Sequence, residues 1–185
     1  IGISMTAGRA ATGGLLLVQS GAPTLRQCWL TGGQATDNGG AAAIEPGASL
    51  LLESCRVWSN AAMRGGALSA RGAAVNLTSC VVESNSAVQA GGAVHAELGS
   101  LVTLIGATVW NNSAGVEAGG VALDSSRLAH SQSRLEANTA GLRGGGMALT
   151  GDGPSVTGIG WGDELALLWN TANNSVGIHS VAAQG

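Results

Sequence analysis

Hydrophobic and polar positions recur along this chain with a period of about 26 residues. The stretch from Ser49 to Ala96 contains the unit almost twice: an apolar run ending in Ser-Cys, an apolar residue three places before an Asn, then Gly-Gly and another short apolar run. The apolar runs are four to seven residues long and are bounded by Gly, Ser and Asn, which predicts strands rather than helices. A unit that repeats with its turn residues in place predicts a repeat architecture.

Glycine pairs mark this period. They occur at six places separated by 26, 26, 26, 28 and 25 residues, namely Gly13-Gly14, Gly39-Gly40, Gly65-Gly66, Gly91-Gly92, Gly119-Gly120 and Gly144-Gly145. The spacing predicts an all-β fold, a right-handed parallel β-helix of six to seven coils with about 26 residues and three short strands per coil. Each strand would pair with its counterpart in the next coil, about 4.8 Å away.

The repeat predicts that residues 1–185 form one elongated domain, in which each coil buries its core only against its neighbours. Residues 150–163 depart from the template and are expected to form a Gly-rich insertion in the last coils, after which Leu165, Leu167 and Asn170 resume the register. Neither end resembles an atypical capping repeat, so we expect the chain to be a segment of a larger protein.

Side chains alternate between the two faces of a strand, which predicts the core. Leu50 and Leu52 face inward before a bend at Ser54, and Cys55 and Val57 face inward after it. The counterparts in later coils are Val75/Leu77, Val102/Leu104 and Leu128/His130 before the bend, and Cys80/Val82, Ala107/Val109 and Ser133/Leu135 after it. Most of these side chains are small, which suits a narrow core.

Two motifs carry a resemblance to a known family. Gly-Gly followed by small and apolar residues occurs as GGAL at Gly65, GGAV at Gly91, GGVA at Gly119 and GGGM at Gly144. Apolar-x-x-Asn occurs at Val57-x-x-Asn60, Val82-x-x-Asn85, Val109-x-x-Asn112 and Leu135-x-x-Asn138. The motifs cover about 150 of the 185 residues and resemble the repeats of the polymorphic outer-membrane protein family, which have a pectin-lyase-like β-helical fold. The resemblance implies a surface module with an adhesive or structural role rather than catalysis.

Composition argues against two further classes of function. The formal net charge is −3 and all eight basic residues are Arg, which argues against nucleic-acid binding. No apolar stretch approaches the length of about 18 residues that a membrane-spanning helix needs. Charged residues make up only 10% of the chain, which suits a strand-rich surface of Ser, Thr and Asn.

One polar column recurs from coil to coil and contains Asn60, Asn85, Asn112 and Asn138. An inward Asn at a turn can hydrogen bond the backbone of the neighbouring coil and the Asn stacked on it. Such bonds satisfy turn groups that would otherwise be buried without partners. We therefore predict that the column is a structural ladder.

Cys28, Cys55 and Cys80 occupy the same place in three successive coils. Stacked Cβ atoms would lie further apart than the ~3.8 Å that a disulfide prefers, so we predict free thiols that pack as small hydrophobic residues. A straight column also cannot supply four tetrahedral zinc ligands. The three histidines share no column, and no metal or cofactor is predicted.

A candidate contact face follows from the same alternation. Trp29, Trp58 and Trp110 point outward on the strand after the Ser bend, together with Arg56, Glu83 and Glu136. Tryptophans in a row on a surface are typical of contact sites, and we predict that this face binds a protein partner. The alternative is that parts of the protein outside this segment cover it.

The two acidic residues of this face leave a second class of function open. Glu83 and Glu136 are two coils apart, roughly 9.6 Å, a separation at which two carboxylates can flank a sugar bond. A carbohydrate-active β-helix enzyme or a polysaccharide-binding module is therefore an alternative. The interpretation that we favour is that both are solvated surface acids.

Sequons for N-glycosylation begin at Asn76, Asn111 and Asn173 and favour a secreted protein. The leading hypothesis is a non-catalytic, extracellular or cell-surface module that contacts other protein chains or further coils of the same protein. A scaffold segment of an intracellular assembly, where free cysteines are common, is a third possibility.

Overall fold

The computed structural model describes residues 2–159 and 164–172, and over these ranges the fold is a parallel β-solenoid of about six coils. The described residues form strands and turns, and none of them is in a helix. Val75 pairs with Leu50 in the coil before it and with Val102 in the coil after it, which corresponds to about 26 residues per coil. The predicted all-β solenoid and its period are confirmed.

The strands form four parallel sheets that run along the solenoid, with one strand of each coil in each sheet. Sheet 1 contains Ser4–Thr6, Trp29–Thr31, Arg56–Trp58, Val81–Glu83, Thr108–Trp110, Ser133–Glu136 and Leu165–Leu168. Sheet 2 contains Arg9–Thr12, Gln34–Asn38, Ala61–Arg64, Ser86–Ala90, Ser113–Ala114, Thr139–Ala140 and Thr171–Ala172. Sheet 3 contains Leu16–Val18, Ala42–Ile44, Leu68–Arg71, Val94–Glu97, Val121–Asp124 and Met147–Thr150. Sheet 4 contains Thr24–Arg26, Ser49–Glu53, Ala74–Thr78, Leu101–Ile105, Arg127–Ser131 and Ser155–Gly158.

Each coil therefore has four strands, and the predicted number of three is wrong. The additional corner lies between Arg56–Trp58 and Ala61–Arg64, where Ser59 adopts a left-handed conformation with φ 54°. This conformation turns the chain after a strand of only three residues. The sheet 2 strand that follows consists largely of small and polar residues and lacks the apolar alternation that predicts a strand.

The segment predicted as an insertion, residues 150–163, is partly regular. Ser155–Gly158 pairs in register with the sheet 4 strand of the preceding coil. Residues 151–154 form the corner before it, where the preceding coil has two residues instead of four. Residues 160–163 lie outside the described residues, and the register resumes at Leu165 as expected.

The core is a continuous column of aliphatic side chains contributed by sheets 1, 3 and 4 and by the corners next to them. Its largest buried aliphatic members are Leu30, Ile44, Leu50, Leu52, Val57, Leu68, Leu77, Leu104, Leu123, Leu128 and Leu135. Burial of a Leu or Val side chain contributes about 1.5–3 kcal/mol, so the column is the main source of stability. The inward positions that alternation predicts before and after the Ser bend are all buried, including His130.

Glycine pairs form the corner between sheets 2 and 3. Gly91 has φ 65°, a backbone conformation that L side chains rarely adopt. A Cβ atom on the next residue, Gly92, would lie 2.3 Å from the carbonyl oxygen of Gly119 in the following coil. The first glycine therefore provides the left-handed turn, and the second allows the backbones of adjacent coils to approach.

Candidate functional site

The outer face of sheet 1 carries two columns of side chains. The first contains Ser4, Trp29, Arg56, Val81, Thr108, Arg134 and Ala166. The second contains Thr6, Thr31, Trp58, Glu83, Trp110, Glu136 and Leu168. In most strands the middle residue points into the core, so both flanking residues point outward. The structure thus brings Trp29, Arg56, Trp58, Glu83, Trp110 and Glu136 to one surface, which we call the contact face.

Aromatic rings pack against each other at one end of the contact face. Trp29 and Trp58 meet edge to face, with ring centroids 6.1 Å apart and planes inclined at 74°. The guanidinium carbon of Arg56 lies 5.0 Å from the centroid of Trp58, within the range of a cation–π interaction. Trp29 remains 59% exposed. The cluster is therefore held in place by its own contacts and still presents an indole to the solvent.

Glu83 lies between Trp58 and Trp110 in one column and is only 7% exposed. The Nε of Arg56 donates a hydrogen bond to Oε1 of Glu83. The interpretation of Glu83 as a solvated surface acid is therefore wrong. Neighbouring outward residues in a column are about 4.8 Å apart, so the two larger indoles exclude solvent from the shorter carboxylate between them.

Glu136 follows Trp110 in the same column and is half-buried. The two carboxylates of the contact face are thus separated by the Trp110 ring and have different surroundings. Because Glu83 is engaged by Arg56, the two residues do not form a pair of free carboxylates.

The outer face of sheet 1 is more apolar than sequence analysis indicated. Val81 is 37% exposed, Leu168 is 38% exposed and Trp169 is 76% exposed. Leu168 stands two residues before Asn170, which is the template position of Trp58 and Trp110, so the repeat contained a signal for it. Trp169 follows in a left-handed turn with φ 49°. Leu168 therefore extends the apolar surface of sheet 1 to the last described coil, and Trp169 exposes a further indole at the corner that follows.

The ladder asparagines form one buried column at the corner between sheets 1 and 2. Its members are Asn60, Asn85, Asn112 and Asn138, and Asn170 extends it. Oδ1 of Asn85 accepts hydrogen bonds from the backbone N–H and the side-chain Nδ2 of Asn60, at 3.0 and 2.9 Å. Nδ2 of Asn85 donates to the carbonyl of Val57 at 3.0 Å and to Oδ1 of Asn112 at 2.9 Å. The polar atoms of the ladder are thus occupied by the chain itself.

The cysteines form an equivalent column at the corner between sheets 4 and 1. Cys28, Cys55 and Cys80 are free and buried. The backbone N–H of Cys55 donates to Sγ of Cys80 at 3.4 Å, and that of Cys28 donates to Sγ of Cys55 at 3.3 Å. The pKa of Cys80 is raised by the hydrogen bond between its side chain and that of Cys55, and also by its burial. Both effects keep the Cys80 thiol protonated. Further along the column, Oγ of Ser133 accepts the N–H of Ala107 at 3.1 Å, as the sulfurs do.

The predicted sequons have different surroundings. Asn76 is half-buried on the outer face of sheet 4. Asn111 is exposed in a left-handed turn with φ 51°, where its Nδ2 lies 3.3 Å from Oγ of Ser84. Asn173 lies outside the described residues. Glycosylation stays a prediction, and Asn111 is the more accessible of the two described sites.

A groove between the outer faces of sheets 2 and 3 was missed by sequence analysis. It has a volume of about 380 Å³, and its polar lining residues include Arg64, Gln89, His95, Glu117 and Asp124. His95 lines its floor and is 6% exposed. The groove arises where two sheets meet at the glycine corner, so no local pattern within one strand marks it.

The described part of the chain was also searched for metal sites and membrane-spanning helices. Within residues 2–159 and 164–172, no three His, Cys, Asp or Glu side chains form a group that could bind a metal ion. In the same ranges, no helix is long and apolar enough to cross a membrane.

Comparisons with family models, with curated proteins and with solved structures gave no match. The assignment of a parallel solenoid therefore depends on the strand pairing within this chain alone. The resemblance to polymorphic outer-membrane protein repeats stays a hypothesis.

Proposed function

We propose that this chain is a non-catalytic structural and adhesive module that binds another protein through its contact face. The observation that carries the proposal is the Trp29–Trp58–Arg56 cluster on the outside of sheet 1. Trp and Arg are the residues that most often dominate binding energy at protein interfaces. A sheet surface needs neither residue for its own stability, because small polar residues fill the same columns in other coils.

The arrangement of apolar and polar groups supports a protein partner. Trp29, Trp110 and Val81 expose apolar area, and Arg134 and Glu136 lie beside them in the same columns. An apolar centre with polar groups around it is the usual composition of a protein interface. The cation–π contact and the ion pair of Arg56 hold its side chain in place before binding, which lowers the entropy cost of association.

A polysaccharide is the second candidate ligand, and one observation favours it. Trp58 and Trp110 lie two coils apart in one column, a spacing of roughly 9.6 Å that resembles the spacing of alternate sugar units in an extended chain. The engagement of Glu83 by Arg56 supports binding rather than acid–base chemistry at this surface.

We further propose an extracellular or cell-surface location, as the resemblance to polymorphic outer-membrane protein repeats implies. The exposed sequon at Asn111 supports this location over an intracellular assembly. Mass spectrometry of the protein isolated from its own cells tests it: a glycan on Asn111 supports export. An unmodified Asn111 together with cytosolic fractionation of the protein contradicts it.

An attachment assay tests the adhesive role. Beads coated with the chain are bound to surfaces coated with the same chain and to whole cells. The double variant Trp58→Ala/Trp110→Ala is compared with the control Leu101→Ala/Ile105→Ala. The control truncates two apolar side chains on the outer face of sheet 4, which are 42% and 40% exposed. We expect at least fivefold weaker attachment for the tryptophan variant and unchanged attachment for the control.

Equal attachment of both variants would overturn the proposal. Protease treatment of the cells distinguishes the two candidate ligands, because it removes a protein partner and leaves polysaccharide. Attachment that survives protease but is lost after glycosidase treatment would favour the polysaccharide.

A further inference from the structure

A second surface carries an independent signal for a ligand. The floor of the groove between sheets 2 and 3 is a column of outward residues, Ala43, Ser69, His95, Ala122 and Ala148. His95 is the largest of them, and its Nδ1 has no hydrogen-bond partner among the described residues. Buried polar atoms are almost always paired in folded proteins. His95 lines the open cavity, and a buried ring nitrogen without a partner beside such a cavity indicates a ligand.

The cavity exists because one wall of the groove is interrupted. Along sheet 2 the wall consists of Arg64, Ala90, Glu117 and Arg143 in successive coils. Ala90 provides only a methyl group beside His95, where the coils before and after provide long side chains. The resulting space of about 380 Å³ is open above the imidazole and is large enough for a small molecule.

Two opposite charges beside this cavity have no ion-pair partner in the part of the chain that the structure describes. Glu97 pairs with Arg71 at 3.3 Å, and Glu117 pairs with Arg143. Arg64 on one wall and Asp124 on the other lack an ion pair within residues 2–159 and 164–172, and Asp124 accepts one bond from the hydroxyl of Ser125. These two residues lie in the coils before and after His95, on opposite sides of the imidazole along the groove.

Burial favours the neutral form of the imidazole between these charges. Burial lowers the pKa of His95, and among nearby charges Glu97 and Asp124 raise it while Arg64 lowers it. A neutral imidazole has one nitrogen that accepts a hydrogen bond and one that donates a hydrogen bond. The groove therefore presents a cation, an imidazole and an anion in sequence along the solenoid.

We propose that this groove binds a small zwitterion, an amino acid or a short peptide. Its carboxylate pairs with Arg64, its ammonium group pairs with Asp124, and the imidazole of His95 forms a hydrogen bond with a polar group of the ligand between these two charges. A guanidinium binds a carboxylate through two parallel hydrogen bonds. A zwitterion pairs with both charges, whereas a ligand with one charge pairs with only one of them and a neutral sugar with neither.

The length of the ligand follows from the coil spacing. Arg64 and Asp124 belong to strands two coils apart, which separates them by roughly 9.6 Å along the solenoid axis. An extended peptide spans about 3.3–3.6 Å per residue, so at least two or three residues are needed to bridge the two charges. A free amino acid reaches both only if the two side chains bend toward each other over His95.

Titration calorimetry with the full chain tests this proposal. The probes are glycine, Gly-Gly and Gly-Gly-Gly, with N-acetyl-Gly-Gly and Gly-Gly-amide as probes that carry a single charge. We expect Gly-Gly or Gly-Gly-Gly to bind best and each blocked peptide to bind at least tenfold more weakly. If glycine bound more tightly than both peptides, the natural ligand would be a free amino acid rather than a peptide.

Variants locate the binding. Arg64→Gln and Asp124→Asn should each weaken binding of the best probe at least tenfold, and His95→Ala should weaken it at least threefold. Arg127→Gln, which removes an exposed charge from sheet 4, should leave binding unchanged. The double variant Trp58→Ala/Trp110→Ala should also bind normally, because the groove and the contact face lie on different sheets.

Absence of binding for all three glycine probes would overturn the proposal. So would equal binding of the free and blocked peptides, or binding that Arg64→Gln and Asp124→Asn leave intact. Binding of glucose or maltose that depends on His95 would show that the groove is a sugar site instead.

Discussion

The side-chain amide of Asn60 donates a hydrogen bond to the side-chain oxygen of Asn85 in the next coil, at 2.9 Å. The same oxygen accepts the backbone N–H of Asn60 at 3.0 Å. One side chain therefore satisfies two donors at a corner where the strands end. Asn112 and Asn138 repeat this arrangement, so each coil is joined to its neighbours at the same point.

The first prediction concerns this ladder. Asn85→Ala removes the acceptor of two Asn60 donors and leaves the carbonyl of Val57 without its side-chain donor. Each buried group left unpaired costs about 1–3 kcal/mol, so we expect a loss of at least this size in the free energy of unfolding, measured with urea. Asn76→Ala is the control, because Asn76 points outward from sheet 4. Equal losses for the two variants would contradict the structural role of the ladder.

The second prediction separates the two properties of glycine. Gly92→Ala places a Cβ 2.3 Å from a backbone carbonyl and should cost about 3 kcal/mol, the upper end of ordinary overpacking effects. Gly47 has φ 79° and nothing within 4 Å of an added Cβ, so Gly47→Ala should cost only about 1–2 kcal/mol of left-handed strain. Thermal unfolding of both variants gives the comparison. A smaller loss for Gly92→Ala would mean that adjacent coils are not in close contact at the glycine corner.

The third prediction concerns pH. Burial lowers the pKa of His95 below its ordinary value of 6.5, with Glu97 and Asp124 acting in the opposite direction and Arg64 in the same direction. Between the folded pKa and 6.5 the unfolded chain binds more protons, so the stability from a neutral His95 is present above pH 6.5 and is lost on acidification. Melting temperatures between pH 7.5 and 5 should therefore fall more steeply for the wild type than for His95→Ala. Parallel curves would contradict the burial of a neutral His95.

The fourth prediction concerns the thiols. Because Cys28, Cys55 and Cys80 are free and buried, a thiol reagent should label none of them in the folded protein and all three after unfolding in urea. A reducing agent should leave the melting temperature unchanged. Fewer than three reactive thiols in the unfolded, unreduced protein would show that a disulfide had formed.

Much of the fold could be predicted from the sequence because equivalent positions in successive coils carry similar residues and pair with each other. Val57 and Val82 stand at equivalent template positions and are paired in the structure, and the same holds for Leu68 and Val94. The fourth strand could not be predicted, since Ala61–Arg64 has no apolar alternation and is defined by its pairing with other coils.

The sites were less predictable because they depend on contacts between columns. The outward direction of Trp58 and Trp110 follows from alternation, but the burial of Glu83 depends on the size of both neighbours. The surroundings of His95 depend on two sheets that meet at the glycine corner and on the short side chain of Ala90. The repeat period of the sequence gives no information about such contacts between sheets.

The most direct test of the contact face is a photo-crosslinking measurement. A benzophenone amino acid replaces Thr108 on the outer face of sheet 1 or, as the matched control, Thr103 on the outer face of sheet 4; both threonines are half-buried. Illumination during bead attachment should yield adducts with a partner protein from position 108, and Trp58→Ala/Trp110→Ala should abolish them. Equal adduct yields from positions 108 and 103, or adducts that persist in the tryptophan variant, would contradict protein binding through the contact face.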